Sequence, residues 1–339
     1  WQSHPETDKA AVDHAVRQAR ELFHSAYLTE QMLVIEGLEG VHARDIPTPK
    51  NFKQSLEGDF SEFWRQAVLT EVKNLEEHGV REWVNRSSLP PGRYPIDTTW
   101  SFKAKANNEG LVEKFKARLC ARGFRQRWGL DFVESYSPVT TLTAWRACIA
   151  EAAQPGWRIL VLDIRSAYLM TDLLEAVWLK PFPGVTPPRP GMIMRLRKCL
   201  YGLVQSGRSF NKQFHTRLLE MGMKQSKHEA CMYTYQGKQG QILRLVIHVD
   251  DVCITSNSQQ ALDTFHEHLL EVYDLSISED CNKYLGVTIE RLWDGAIQLH
   301  QTRYVKDILA KYHHEDCRGA NTPALPGVHL TVEDCPDTD

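Results

Sequence analysis

The chain has 339 residues, of which 42% are hydrophobic and 24% charged, too apolar for a disordered chain and enough to bury a large core. No apolar run approaches the roughly 20 residues that a bilayer-crossing helix needs, which excludes a helical membrane span. A net charge of −3 excludes an overall basic protein, so a nucleic-acid partner has to be met by a local patch.

Eight cysteines are scattered without a C-x-x-C pair, which predicts reduced thiols rather than a disulfide framework or a zinc ribbon. The sequence starts at Trp1 with no charged-then-apolar leader, as expected for an excerpt of a longer chain that lacks a secretory signal. In chain order, residues 8–27 place Ala11, Val12, Val16, Ala19, Leu22 and Phe23 at helical spacing. A polar linker is expected over 43–51. A second helix follows, with Ser61 as cap, a stripe of Phe63, Ala67, Val68, Val72 and Leu75, and Gly79 as stop. Residues 98–124 predict a hairpin that turns at Asn107–Gly110. Residues 157–169 start as a buried strand and drift towards helix. A Pro/Gly-rich stretch over 181–191 leads to a short strand and a helix over 209–222. Residues 241–256 are two apolar β runs that meet at two acids. A helix over 259–272, a hairpin over 283–301 turning at Asp294–Gly295, and a helix over 302–312 complete the chain. Hairpins outnumber regular crossovers, which predicts an α+β fold rather than a doubly wound parallel sheet.

Three features carry chemistry. Asp250 and Asp251 follow LRLVIHV, and VCIT leads straight back, so two carboxylates sit at the tip of a core hairpin. There they need solvent, a cation or a basic partner; an ordinary Asp-rich turn is the plain alternative. Asp163 closes another apolar run, where an Asp is ordinarily a cap or turn residue. If the two strands are neighbours, three carboxylates share one edge. Such hard oxygen ligands suit Mg²⁺, two ions of which clamp the attacking and leaving oxygens of phosphoryl transfer. The third feature is residues 114–127, which hold six Lys or Arg (114, 116, 118, 122, 125, 127) and no acid. Lys103 and Lys105 precede them on the same expected side. Such a run is ordinarily a solvated face, but here the chain is net acidic, and the interleaved Phe115 and Phe124 suit nucleic-acid contact. His266, His268, His313 and His314 lack further ligands at zinc spacing and read as surface residues.

The ordered set WSFKAK (100–105), KARLCARGFRQRWGLDF (116–132), YSPV (136–139), LDIRSAYL (162–169), LYGLVQS (200–206), HVDD (248–251) and KYLGVTIE (283–290) resembles the reverse transcriptase of copia-type LTR retrotransposons, over about 60–323. The resemblance implies a right-hand polymerase: residues 1–50 a helical extension and linker, 51–290 fingers and palm, and 291–339 a partial thumb or connection truncated before RNase H. It implies an RNA-directed DNA polymerase that transfers dNTPs to a primer 3′-hydroxyl, with two Mg²⁺ (or Mn²⁺) on Asp163, Asp250 and Asp251. Lys105, Lys116 and Arg118 match the fingers hairpin that faces the triphosphate; which of them touches phosphate stays open. Tyr168 matches the aromatic residue that excludes a 2′-hydroxyl, and Gln205 a residue near the nascent base pair. His248, beside the Asp pair, and Arg122, Arg125 and Arg127 are expected on nucleic acid, and KYLGV resembles the primer grip. Implied partners are an RNA or DNA template–primer, dNTPs, and the integrase and RNase H parts of a polyprotein, with no membrane, in a cytoplasmic virus-like particle or the nucleus. This sequence departs from the family's pattern at His248 (usually Tyr), at Gly207 and Phe210 (usually Pro and Trp) and at Cys120 (usually Val). Those departures keep open a second reading, an inactive or repurposed remnant that only binds nucleic acid.

Overall fold

Helix α1 (Ser61–Glu77) forms because Trp64, Ala67, Val68, Val72 and Leu75 recur on one face and are buried there. Phe60 occupies the cap position without a side-chain cap bond, so Ser61 is the first helical residue and not the cap. At the other end Gly79 turns left-handed (φ 60°). The N–H groups of Gly79 and Val80 then donate to the carbonyls of Glu76 and Leu75, both at 3.0 Å, which satisfies two carbonyls the helix leaves open.

The structure is a computed structural model that describes residues 38–107, 109–277, 283–322, 327–329 and 331–335. The helix expected over 8–27 lies outside the described residues. After α1 come β1 (Arg81–Asn85) and the hairpin of β2 (Thr98–Ala106) and β3 (Val112–Ala121). Next are α2 (Leu142–Ala152), β4 (Arg158–Ile164), β5 (Trp178–Leu179), β6 (Met192–Leu196) and α3 (Ser206–Glu220). Then follow β7 (Lys224–Gln225), β8 (Met232–Gln236), β9 (Ile242–His248), β10 (Asp251–Ser256), α4 (Gln259–Leu270) and β11 (Leu275–Ile277). The last elements are β12 (Lys283–Tyr284), β13 (Val287–Arg291), β14 (Ile297–His300) and α5 (Thr302–Lys311). Every strand pair joining these elements is antiparallel, and the mixed helix–sheet architecture matches the α+β expectation.

The central sheet runs β11-β4-β10-β9-β8-β7. Alternation along its strands divides the core. Leu162, Ile164, Leu243, Leu245, Ile247, Val252 and Ile254 pack on Phe210, Phe214, Leu262 and Phe265 of α3 and α4. From the other face Val161, Val246 and Cys253 meet Trp145 and Ile149 of α2, and Tyr284 and Ile289 of the β12-β13-β14 sheet. Both faces are covered, which explains why these strands read as continuous apolar runs.

A separate core joins α1 to the β2–β3 hairpin. The Phe115 ring lies 5.0 Å from Phe63 and 4.6 Å from Trp64, and Trp100, Phe102, Ala117 and Leu119 are buried with it. Truncating an aromatic in such a cluster costs about 3–5 kcal/mol. Phe115 is therefore core, not a nucleic-acid contact. The expected linker also joins this core: Val112 N–H donates to Val41 O at 2.9 Å, Ala43 N–H to Gly110 O at 3.0 Å, and Ile46 is 4% exposed.

Two local expectations differ. The chain after β4 forms tight turns with Ser166 at φ 53°, not a helix, because Arg165 N–H is drawn to Asp274 O (2.8 Å) beside β11. Helix α3 begins at Ser206, so Gly207 lies in its first turn. Proline is tolerated in a first turn, so the Gly-for-Pro departure loosens a helix start.

Candidate active site

Strands β4 and β10 are hydrogen-bonded neighbours, and Asp251 is registered directly opposite Asp163. Directly opposed residues share a face with their Cβ atoms about 5 Å apart, a spacing at which like charges repel. Asp250 occupies the two-residue turn from β9 to β10, and its carbonyl accepts the Ile164 N–H at 3.0 Å. The other turn residue, Val249, is held at φ 61°. A β-branched side chain is strained there, at a cost of about 1–3 kcal/mol, where Gly, Asn or Asp would relax it. The turn is thus not built for its own stability, which argues against an ordinary Asp-rich turn.

Electrostatics follow from this packing. Burial, then Asp250 and Asp163, pushes the Asp251 carboxyl up to about 6. Burial also raises Asp250; Asp163 adds to the rise, while its own backbone N–H, Arg118 and Lys116 oppose it. Asp163 accepts a long hydrogen bond from Ser276 Oγ at 3.4 Å. Among the described residues no group of three or more His, Cys, Asp or Glu side chains is placed to hold a metal ion. What fits a divalent ion is the donor chemistry: three hard carboxylates sharing an edge at an electrostatic cost that a cation would relieve.

Lys116 lies within electrostatic reach of Asp163, and Lys116 and Arg118 within reach of Asp250, which brings this edge close to the β2–β3 hairpin. Its register pairs Lys105 with Lys114, Lys103 with Lys116, and Ser101 with Arg118, so five cations share one face. Burial, then Arg118 and Lys105, lowers the Lys116 ammonium to about 8, while Asp163 and Glu71 oppose the fall. The Arg118 guanidinium stacks 4.9 Å over the Tyr201 ring, and that ring meets Tyr168 edge-on at 5.3 Å. Burial pushes Tyr201 up to about 12, and also raises Tyr168, with Asp250 adding to both shifts. A side chain at Gly207 would come 3.7 Å from the Tyr168 hydroxyl, so glycine leaves that side open.

The structure therefore brings together Asp163, Asp250, Asp251, Lys116, Arg118 and Tyr168, with Lys105 exposed further out on the hairpin. His248 is half-buried, registered opposite Asp251, and its Nδ1 is buried without a hydrogen-bond partner. Gln205 does not face this space. It is 1% exposed, its amide donates to Asp131 O at 3.0 Å and accepts from Gln126 Nε2 at 2.9 Å. Buried amides seek partners for both ends, and these two lock the 122–133 loop onto the turn before α3. Two glycines allow that approach: a Cβ on Gly123 would lie 2.1 Å from Gly202 O, and one on Gly202 2.3 Å from Ala121 O. Of the loop arginines, Arg125 is exposed and Arg122 half-buried. Arg127 is engaged internally, with Gly92 O at 2.7 Å, Asp131 at 3.7 Å and the Tyr94 ring at 3.8 Å.

Sequence reasoning missed Tyr201 and Glu71. Glu71 carried a legible signal, an acid on the same helical stripe as Val68, Val72 and Leu75, and it is buried. Tyr201 carried none, because a Tyr before Gly in LYGL reads equally as core.

The mixed helix–sheet fold thus sets an acidic edge near a cationic hairpin. The chain belongs to the reverse transcriptase (RNA-dependent DNA polymerase) family, whose model matches residues 82–326. It is 31% identical over 285 residues to the retrovirus-related Pol polyprotein from transposon RE2 of Arabidopsis thaliana, covering 84% of this chain and 19% of that protein. It is 26% identical over 307 residues to the corresponding polyprotein from transposon TNT 1-94 of Nicotiana tabacum, 88% of this chain and 22% of that protein. The transposon Ty1-DR4 Gag-Pol polyprotein of Saccharomyces cerevisiae is 28% identical over 274 residues, 75% of this chain and 16% of that protein. The chain thus spans about a fifth of the length of these relatives and is related to the Pol polyproteins of copia-type transposons.

Proposed function

We propose that the chain is an RNA-directed DNA polymerase in which the primer 3′-hydroxyl attacks the α-phosphate of a dNTP and pyrophosphate leaves. The observation that carries this reading is the convergence of three carboxylates on one edge close to Lys116 and Arg118. Asp163, Asp250 and Asp251 would hold the divalent ions. When bound, two Mg²⁺ (or Mn²⁺) ions supply charge neutralisation at the attacking and leaving oxygens. Lys116 and Arg118 would bind the triphosphate from the opposite side, Arg118 with the fixed donor fork that suits phosphate. Tyr168 would lie beneath the incoming sugar and exclude a 2′-hydroxyl. Arg122, Arg125 and His248 would contact the template–primer, while Gln205 and Arg127 would act by holding the 122–133 loop.

In this reading α1 and the β2–β3 hairpin are the fingers, the six-stranded sheet with α2, α3 and α4 is the palm, and β12–β14 with α5 begin the thumb or connection. The 51–290 fingers-and-palm unit then extends back to Val41, which pairs with the hairpin. RNase H and integrase parts of a polyprotein are the expected partners, in a virus-like particle. Primer extension on poly(rA)/oligo(dT) with dTTP and Mg²⁺ tests the proposal. Incorporation is expected, and its absence in a folded protein that still binds template–primer would establish the binding-only remnant instead.

A further inference from the structure

Glu71 is 7% exposed on the inner face of α1, and its Oε1 accepts the backbone N–H of Leu119 at 3.1 Å. That N–H lies on β3, the strand that carries Lys114, Lys116 and Arg118. Burying an acid is unfavourable unless charge and hydrogen bonds offset it. Burial does push the Glu71 carboxyl up, and the Leu119 N–H, Lys116 and Arg118 pull it back. The dependence is mutual: Glu71 on α1 and Asp163 on β4 favour the charged form of Lys116, against burial and against Arg118 and Lys105 on the hairpin. One turn along the same helix face, Asn74 Nδ2 donates to Ser166 Oγ at 3.0 Å, three residues beyond Asp163. A single helix face is therefore tied both to the cationic strand and to the chain that carries the first carboxylate.

We infer that Glu71 is a positioning residue: its buried carboxylate fixes the edge of β3 and offsets repulsion within the cationic row, so that Lys116 and Arg118 are presented across the gap to a triphosphate. Glu71 itself touches no substrate. The inference rests on assigning Lys116 and Arg118 to triphosphate binding, and the test separates the two claims.

Glu71→Gln keeps the size and an acceptor for the Leu119 N–H while removing the charge; Glu71→Asp keeps the charge. Steady-state primer extension reads KM for dTTP and kcat. In parallel, ¹³C-dimethylated lysines, assigned with Lys116→Arg, report the titration midpoint of Lys116 without any need for activity. For Glu71→Gln, KM is expected to rise by about three- to tenfold with kcat and template–primer affinity nearly unchanged. The Lys116 midpoint should fall, and Glu71→Asp should recover much of both effects. A Gln variant that melts like the wild type with unchanged KM and an unchanged Lys116 midpoint overturns the inference. If the wild type extends no primer, the polymerase reading fails, yet the lysine titration still decides whether Glu71 governs Lys116. Should the Gln variant not fold, Glu71→Met, which fills the space without the charge, decides: a raised KM with a lowered Lys116 midpoint supports the inference, and wild-type values of both overturn it.

Discussion

Two antiparallel hairpins confront each other in this molecule, and they carry like charge in different ways. The β9–β10 hairpin sits inside a sheet covered on both faces, so its acids at the tip are half-buried and their protonation is perturbed. The β2–β3 hairpin is two-stranded and leans on α1 by one face, which leaves Lys103, Lys105 and Lys114 in solvent and half-buries Lys116 and Arg118. Solvent screens the outer cations; of the inner two, Lys116 has its charged form favoured by Asp163 and Glu71, and Arg118 stacks on the Tyr201 ring. Burial disfavours charge on Asp250 and on Lys116, and in each case the opposite charge of the other hairpin works against that effect. Stability given up at a site in this way is the usual sign of function.

The comparison breaks most sharply at the acids. Asp163→Asn or Asp250→Asn is expected to lower primer extension by at least about a thousandfold, roughly 4 kcal/mol of transition-state stabilisation, with template–primer binding retained. Near wild-type extension in either variant would remove the acidic edge from the chemistry. A smaller effect is expected between the hairpins, at Tyr168. Tyr168→Val should raise the rUTP-to-dTTP ratio of kcat/KM by more than about tenfold, or 1.4 kcal/mol, with only a modest loss in the dTTP rate. An unchanged ratio would make Tyr168 plain core.

Asp251 sharpens the comparison through stability. Its carboxyl is raised to about 6, so protonation favours the folded state. That contribution is present below the ordinary carboxylate range and is lost as pH rises through about 6. At pH 7.5, without divalent ions, Asp251 is charged and unfavourable, and Asp251→Asn should raise Tm. Added Mg²⁺ should then stabilise the wild type more than the variant. A lower Tm in the variant at pH 7.5 would show that the carboxylate is needed for folding. The smallest effect belongs to the loop that follows the cationic hairpin. Replacing Arg122 and Arg125 by Ala should reduce the log–log salt slope of template–primer binding by roughly 1 to 2 units, near-uniformly across sequences. Adding Arg127→Ala should change Tm rather than the slope, because that guanidinium is engaged by Gly92 and Asp131.

What the amino-acid sequence determined by itself was local and periodic. The basic run over 114–127 and the hairpin carrying it were legible, although Phe115 was grouped there with the cations and only burial against α1 separated it, and the apolar runs ending at Asp163 and Asp250 marked strands that end in charge. The ordered motifs were enough to identify the family, which its matching model then showed. Tertiary structure alone decided what depends on distant neighbours. It placed β4 next to β10 across about 90 residues of chain, turned Gln205 inward to Gln126 and Asp131, and set Glu71 against the edge of β3. It also gathered Arg118, Tyr201 and Tyr168 into one cluster from three separate segments. The physical reason is that side-chain direction repeats with the local backbone, whereas strand order, burial of a polar group and the partner that satisfies it are set only when the layers pack.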